Sequence, residues 1–119
     1  MGAIGSPPAV KRFCGVLAGD AGVADRAIDV LASAWGAVDL RGGPVPFTFT
    51  DYYTAEMGPG LLRIFVSFQP PVCAEDAAGW KAFSNDVERR FAVNGRRRVN
   101  LDPGFLDLAR VVLLSTKDA

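Results

Sequence analysis

Two stretches of this chain repeat apolar residues at the spacing of a helix, and the segments around them repeat at the spacing of a strand. That order, strand-helix-strand-strand-helix-strand, restricts the fold more than any other feature. In the first helical stretch Val23, Ala27, Ile28, Leu31, Ala34 and Trp35 recur every three or four residues, with Asp25, Arg26 and Asp29 between them. This is an amphipathic helix with one buried stripe. Asp20 can accept the free N–H groups of its first turn, and Gly36 ends it. The second helix is predicted over Ala74 to Val93, with Trp80, Phe83, Val87 and Phe91 as its stripe and Asn94-Gly95 as its stop. Lys81, Asn85 and Glu88 share a different face, roughly 120° from that stripe.

The strand segments follow from period-two alternation and from turn residues. Val10 to Leu17 is apolar after Pro7-Pro8 and reads as the first strand. Val38 to Pro46 reads as a Gly/Pro-rich connection. Phe47-Thr48-Phe49-Thr50 alternates and predicts a second strand, paired through a loop at Asp51 to Gly60 with a third strand over Leu62 to Phe68. Val99 to Leu101 starts a strand, Asp102-Pro103-Gly104 reads as a turn, and Phe105 to Ser115 is an apolar segment whose Val111 to Leu114 favours strand. The expectation is an α+β fold, a ferredoxin-like βαββαβ sandwich with an antiparallel sheet and two helices on one face. Residues 1–8 read as a mobile leader and residues 9–119 as a single domain, a suitable size for one core.

Composition narrows the function classes. The chain has 119 residues, 13 basic and 13 acidic, and no histidine. Zero net charge argues against a general nucleic-acid binder. Lack of histidine removes Ser-His-Asp and Cys-His catalysis and histidine metal ligands from within the chain. No GxxxxGK[ST] phosphate loop and no GxGxxG fingerprint occurs, and Thr116-Lys117-Asp118 has the wrong spacing for a guanine-reading motif. No apolar run is long enough for a membrane span, and the start lacks the pattern of a secretory signal, so a cytoplasmic protein is expected. Cys14 and Cys73 sit beside apolar residues and read as buried thiols.

The polar density of Thr50 to Gly58 stands out, because a loop that only turned would not need two carboxylates and two phenols. Asp51, Tyr53 and Glu56 could supply acid/base groups or oxygen ligands for a hard cation. They could equally cap backbone N–H groups and pack on the sheet. Arg63, Lys81 and Arg98 lie on three elements and would suit a phosphate or carboxylate if they converge. Lys81, Asn85 and Glu88 form a stripe able to hold a polar ligand, or an ordinary exposed face. Asp102 belongs to a turn or to a site. Arg96-Arg97-Arg98, with no interleaved aromatics, reads as a basic loop.

Four ordered stretches together resemble the prokaryotic domain-of-unknown-function family 4416. They are Pro8-Ala9-Val10-Lys11-Arg12-Phe13 with Gly15; Phe49-Thr50-Asp51-Tyr52-Tyr53 with Glu56-Met57-Gly58, Leu62-Arg63 and Ser67-Phe68; Lys81 with Asn85 and Glu88; and Arg98 to Phe105 followed by Val112-Leu113 and Ser115-Thr116-Lys117-Asp118. The resemblance implies no established activity. It implies a longer domain that continues with a histidine- and tyrosine-containing hairpin, so this chain is expected to be shortened at its C-terminus.

These readings converge on a small domain that binds a polar or anionic small molecule at the hairpin loop and the second helix, through Asp51, Tyr53, Glu56, Arg63, Lys81, Asn85, Glu88 and Asp102. Two alternatives stand beside it. One is a metal-assisted hydrolase or transferase using Asp51, Glu56 or Asp102. The other is an interaction or homo-oligomerisation module working through an open sheet face. No cofactor and no metal site is assigned.

Overall fold

The computed structural model describes residues 9–107 and 111–115. The predicted leader at 1–8 and the Thr116-Lys117-Asp118 motif lie outside them. The chain forms an α+β fold with an antiparallel sheet in the order β2-β3-β1-β5-β6: β1 is Ala9–Ala18, β2 Val38–Pro46, β3 Leu62–Phe68, β5 Val99–Leu106 and β6 Val111–Leu113. A two-residue strand β4, Val72–Cys73, pairs with the start of β1. Helices α1 (Ala21–Trp35) and α3 (Ala77–Phe91, entered through a 3-10 turn at Ala74–Asp76) cover one face, and α2 (Thr54–Met57) is a single turn between β2 and β3.

Local chemistry accounts for the helices. The Asp20 carboxylate accepts from the N–H groups of Gly22 at 2.6 Å and Val23 at 3.4 Å, and Gly36, at φ +103°, ends α1. Val23, Ala24, Ala27, Ile28, Leu31 and Trp35 are buried on the sheet, while Ala34 is exposed. In α3 Trp80 and Val87 are buried, with Phe83 and Phe91 packed beside them. Under the helices lie alternate strand residues: Cys14 and Val16 of β1, Ile64, Val66 and Phe68 of β3, Leu101 and Phe105 of β5.

Arg12 is the exception in this layer. It is 6% exposed, and its guanidinium sits 4.6 Å from the Trp35 ring, 5.1 Å from Trp80 and 5.9 Å from Phe68. Its Nη2 donates to the Trp35 carbonyl at 2.9 Å, at the negative end of α1, while its Nε has no partner among the described residues. Burial pulls its pKa downward.

Three sequence expectations change. Phe47 to Thr50 is not a strand, and Phe49 is 88% exposed. The second strand is instead Val38–Pro46, the stretch expected to be a connection. It is an edge strand, exposed along almost its whole length, so it pairs through its backbone with no apolar pattern to reveal it, and its prolines are tolerated at an edge. Asp102-Pro103-Gly104 does not turn but runs inside β5. Pro103 shares the outward direction of Leu101, so its missing N–H falls on the side away from β1, and its carbonyl accepts from Leu114 at 3.0 Å. Gly104 is required because a Cβ there would meet the Val112 carbonyl of β6 and lie 2.6 Å from the Phe13 ring. The short helix α2 and β4 add to the expected order, and β6 falls where Val111 to Leu114 favours strand.

Candidate functional site

On the face away from the helices, side chains form cross-strand rows. Val45, Arg63, Leu17 and Asn100 make one row; Gly42, Phe65, Gly15 and Asp102 the next; Leu40, Ser67, Phe13, Gly104 and Leu113 the third. The β2–β3 connection folds over the first row. Leu17 is fully buried there, and the Phe47 ring lies 5.1 Å from the Arg63 guanidinium.

A polar chain crosses this end of the sheet. Glu56, on α2, receives the Arg97 side chain in a two-point contact, Nε at 3.0 Å and Nη2 at 2.8 Å, and also the Arg97 backbone N–H at 2.8 Å. Arg97 Nη1 donates to Asn100 Oδ1 at 2.6 Å, and Asn100 Nδ2 donates to Asp102 Oδ2 at 2.8 Å. Asp102 then faces two cations, Arg63 Nη1 and Lys81 Nζ, each at 3.8 Å. Those separations exceed hydrogen-bond range.

Lys81 and Glu88 reach this chain from α3 by clasping the free edge of β5. Lys81 Nζ donates to the Leu101 carbonyl at 3.1 Å, and Glu88 Oε2 accepts the Leu101 N–H at 2.6 Å. The two side chains replace a neighbouring strand at a position where both backbone groups would otherwise be unpaired. Glu88 is 7% exposed, and burial pushes its carboxyl pKa upward, against the downward pull of the Leu101 N–H and of Arg97, 3.9 Å away.

Five of the eight sequence candidates therefore converge: Glu56, Arg63, Lys81, Glu88 and Asp102. Three do not join by hydrogen bonds. Asp51 is exposed on the connection. Tyr53 starts α2 and packs edge-on against Phe47 and Tyr52, at 6.1 Å and 5.0 Å between ring centres. Asn85 is half-buried, and its amide makes no hydrogen bond among the described residues. Arg98 lies apart, 3.8 Å from Asp20. Glu56 is paired with Arg97.

Two members of the cluster were missed. Arg97 lies in the basic loop, and its partner Glu56 is 41 residues away, so no local spacing connects them. Asn100 carried a signal, because Val99-Asn100-Leu101-Asp102 alternates, but the turn chemistry of Asp102-Pro103-Gly104 obscured it. Asp51, Glu56 and Asp102 do not group as ligands: among the described residues no three His, Cys, Asp or Glu side chains could jointly hold a metal ion. Cys14 and Cys73 are both free thiols, and burial pushes the Cys14 thiol far above its usual range. No helix of the described residues is long and apolar enough to cross a membrane.

Arg63 is the least satisfied cation of the set. Its side chain is 17% exposed and lies between Phe47 and Phe65, 5.1 Å and 5.4 Å from the ring centres. It donates no hydrogen bond to any described residue, and its nearest carboxylate oxygen is that of Asp102 at 3.8 Å. Gly15 makes its position possible, since a Cβ there would lie 2.9 Å from Arg63 Nη1.

The Glu56–Arg97 contact gives a pH-dependent expectation. The Arg97 hydrogen bonds hold the Glu56 carboxyl below the usual carboxylate range. Its contribution is complete above the unfolded value, near pH 4.5, and fades as pH falls through the lowered one. Glu56→Gln should cost about 1 kcal/mol at pH 7, discounted for partial exposure. That gap should close in urea titrations repeated at decreasing pH; a gap independent of pH would mean that the carboxylate charge contributes nothing.

Comparison with known proteins places the whole described fold in one family. No curated protein matches the chain, and no solved structure matches it. The family model described as "Domain of unknown function (DUF4416)" matches residues 8–119. Because that match takes in α1, α2, α3 and every strand among the described residues, the chain belongs to the DUF4416 family.

Proposed function

We propose that this is a small-molecule binding domain whose ligand presents an anionic group to Arg63. The observation that carries the reading is a largely buried guanidinium, clamped between two aromatic rings, whose hydrogen-bonding edge meets no described protein acceptor. A guanidinium flanked by two rings, with nitrogens still open to solvent, is suited to bidentate contact with a carboxylate or phosphate. Asp102 and Asn100 would accept or donate hydrogen bonds to a polar neighbour of that anion, and Arg97 and Glu56 would hold Asn100 in position. Lys81 and Glu88 act at one remove by fixing the β5 backbone that carries Asp102.

We read the scaffold as a ferredoxin-like unit of β1, α1, β2, β3, α3 and β5, extended by β4 and β6; the antiparallel order β2-β3-β1-β5 with both long helices on one face supports this. Calorimetric titration with acetate, inorganic phosphate and their chloride control tests the binding reading. Saturable binding of one anion is expected, weakened about tenfold or more in Arg63→Gln. Affinities that do not differ between the wild-type chain and Arg63→Gln would refute it.

A further inference from the structure

Beside Arg63 the open face becomes mostly apolar, with Ser67 its one polar side chain among the residues that line the trough. A trough of about 350 Å³ is walled by Phe13, Leu40, Phe65, Leu106 and Val111, with Gly42 in its floor. The volume is at the low end of small-molecule sites, roughly 300–1,000 Å³. Leu40 is 71% exposed, Val111 70% and Phe65 51%, a contiguous apolar surface and not scattered residues.

The trough and the guanidinium are adjacent by register. Arg63 precedes Phe65 on the same face of β3, and Nη1 extends over Gly15, which is directly opposite Phe65. Phe65 belongs to both features, lining the trough and lying 5.4 Å from the guanidinium. The next row holds Phe13, whose ring lies over Gly104. A molecule with its anionic end on Arg63 would therefore run along the rows directly into the trough. No polar group there awaits it: Ser67 Oγ donates to Asp39 at 2.6 Å, and Asp39 also pairs with Lys11 at the far end. A polar body would lose its hydration without replacement, whereas an apolar one would gain from burial. The nearby Asp102 carboxylate disfavours a dianion and leaves a single negative charge as the better match for Arg63.

We infer that the ligand is an amphipathic monocarboxylate, its carboxylate on Arg63 and its apolar body in the trough lined by Phe13, Leu40, Phe65, Leu106 and Val111. This rests on the anion-binding reading above. The test is calorimetric titration of the full chain with straight-chain carboxylates from acetate to octanoate, below their aggregation limits, with sedimentation velocity on the same samples. Affinity should rise about twofold to fourfold per methylene as apolar surface is buried. The double substitution Leu40→Ser with Val111→Ser should flatten that rise, and Arg63→Gln should weaken every acid about tenfold. Binding that depends on Arg63 but is flat in chain length would overturn this inference and leave the anion reading intact. Loss of all Arg63-dependent binding would overturn both. A dimer that the double substitution dissociates would assign the trough to a second copy of the chain and overturn the inference.

Discussion

Phe68→Ala should remove about 3–5 kcal/mol of stability, among the largest losses expected from truncating a side chain in this core. Phe68 is fully buried at the end of β3, its ring edge-on to Trp35 at 5.2 Å and 5.9 Å from the Arg12 guanidinium. Truncation would leave a void under the C-terminal end of α1 and remove one wall of the aromatic enclosure around Arg12. The neighbours can collapse only partly, because a guanidinium with an unpartnered Nε cannot move into an apolar gap without cost. Small domains have about 5–15 kcal/mol in total, so the loss would be a large share of the whole. Urea unfolding measures it. Phe68→Leu, which retains most of the volume, should lose much less; equal losses for the two would mean that the ring's packing is not what matters.

Glu88→Ala should cost about 2–3 kcal/mol, an unusually large effect for a helix carboxylate. The residue is not on a solvated face: it accepts the Leu101 N–H at 2.6 Å and closes the free edge of β5. Alanine would leave that buried N–H unpaired, and the Leu101 amide should lose protection in hydrogen exchange while the amides of α1 keep theirs. Glu88→Gln should cost less because it keeps an acceptor. The two also differ in pH dependence. Burial raises the Glu88 pKa, so the wild-type contribution is complete below the unfolded value and declines as pH rises through the raised one. The stability of wild type relative to Glu88→Gln should therefore fall as pH rises from about 4.5. A rise across that window would mean that ionised Glu88 is favoured by Leu101 and Arg97 more than burial disfavours it.

The helices were legible because each buries one stripe against the sheet, and a stripe leaves a period of 3.6 in the sequence. Trp35, Trp80 and Val87 fall where that period puts them. β3 was legible for the same reason at period two. β2 was not, since an edge strand lying outside the core has no burial to impose alternation, while the alternating Phe47 to Thr50 projects from the connection. The inner half of the site could be read as a density of polar residues on segments otherwise built for a core, which selected Glu56, Arg63, Lys81, Glu88 and Asp102. Their partners could not, because Glu56 meets Arg97 only after β3, β4 and α3 have been laid between them. Asp51, Tyr53 and Asn85 have the right chemistry on the right segments, but they point elsewhere or lack a hydrogen-bonding partner in the cluster.

The proposed function requires the Arg63 guanidinium to take an external anion. The side-chain Nε–H signal of Arg63, observed by ¹H–¹⁵N NMR and assigned through Arg63→Gln, reports on it directly. On titration with octanoate that signal should shift progressively and saturate, while the Nε–H of Arg97, already bonded to Glu56 at 3.0 Å, stays in place. An Arg63 signal that does not move, or moves no more than that of the exposed Arg89, would contradict the account.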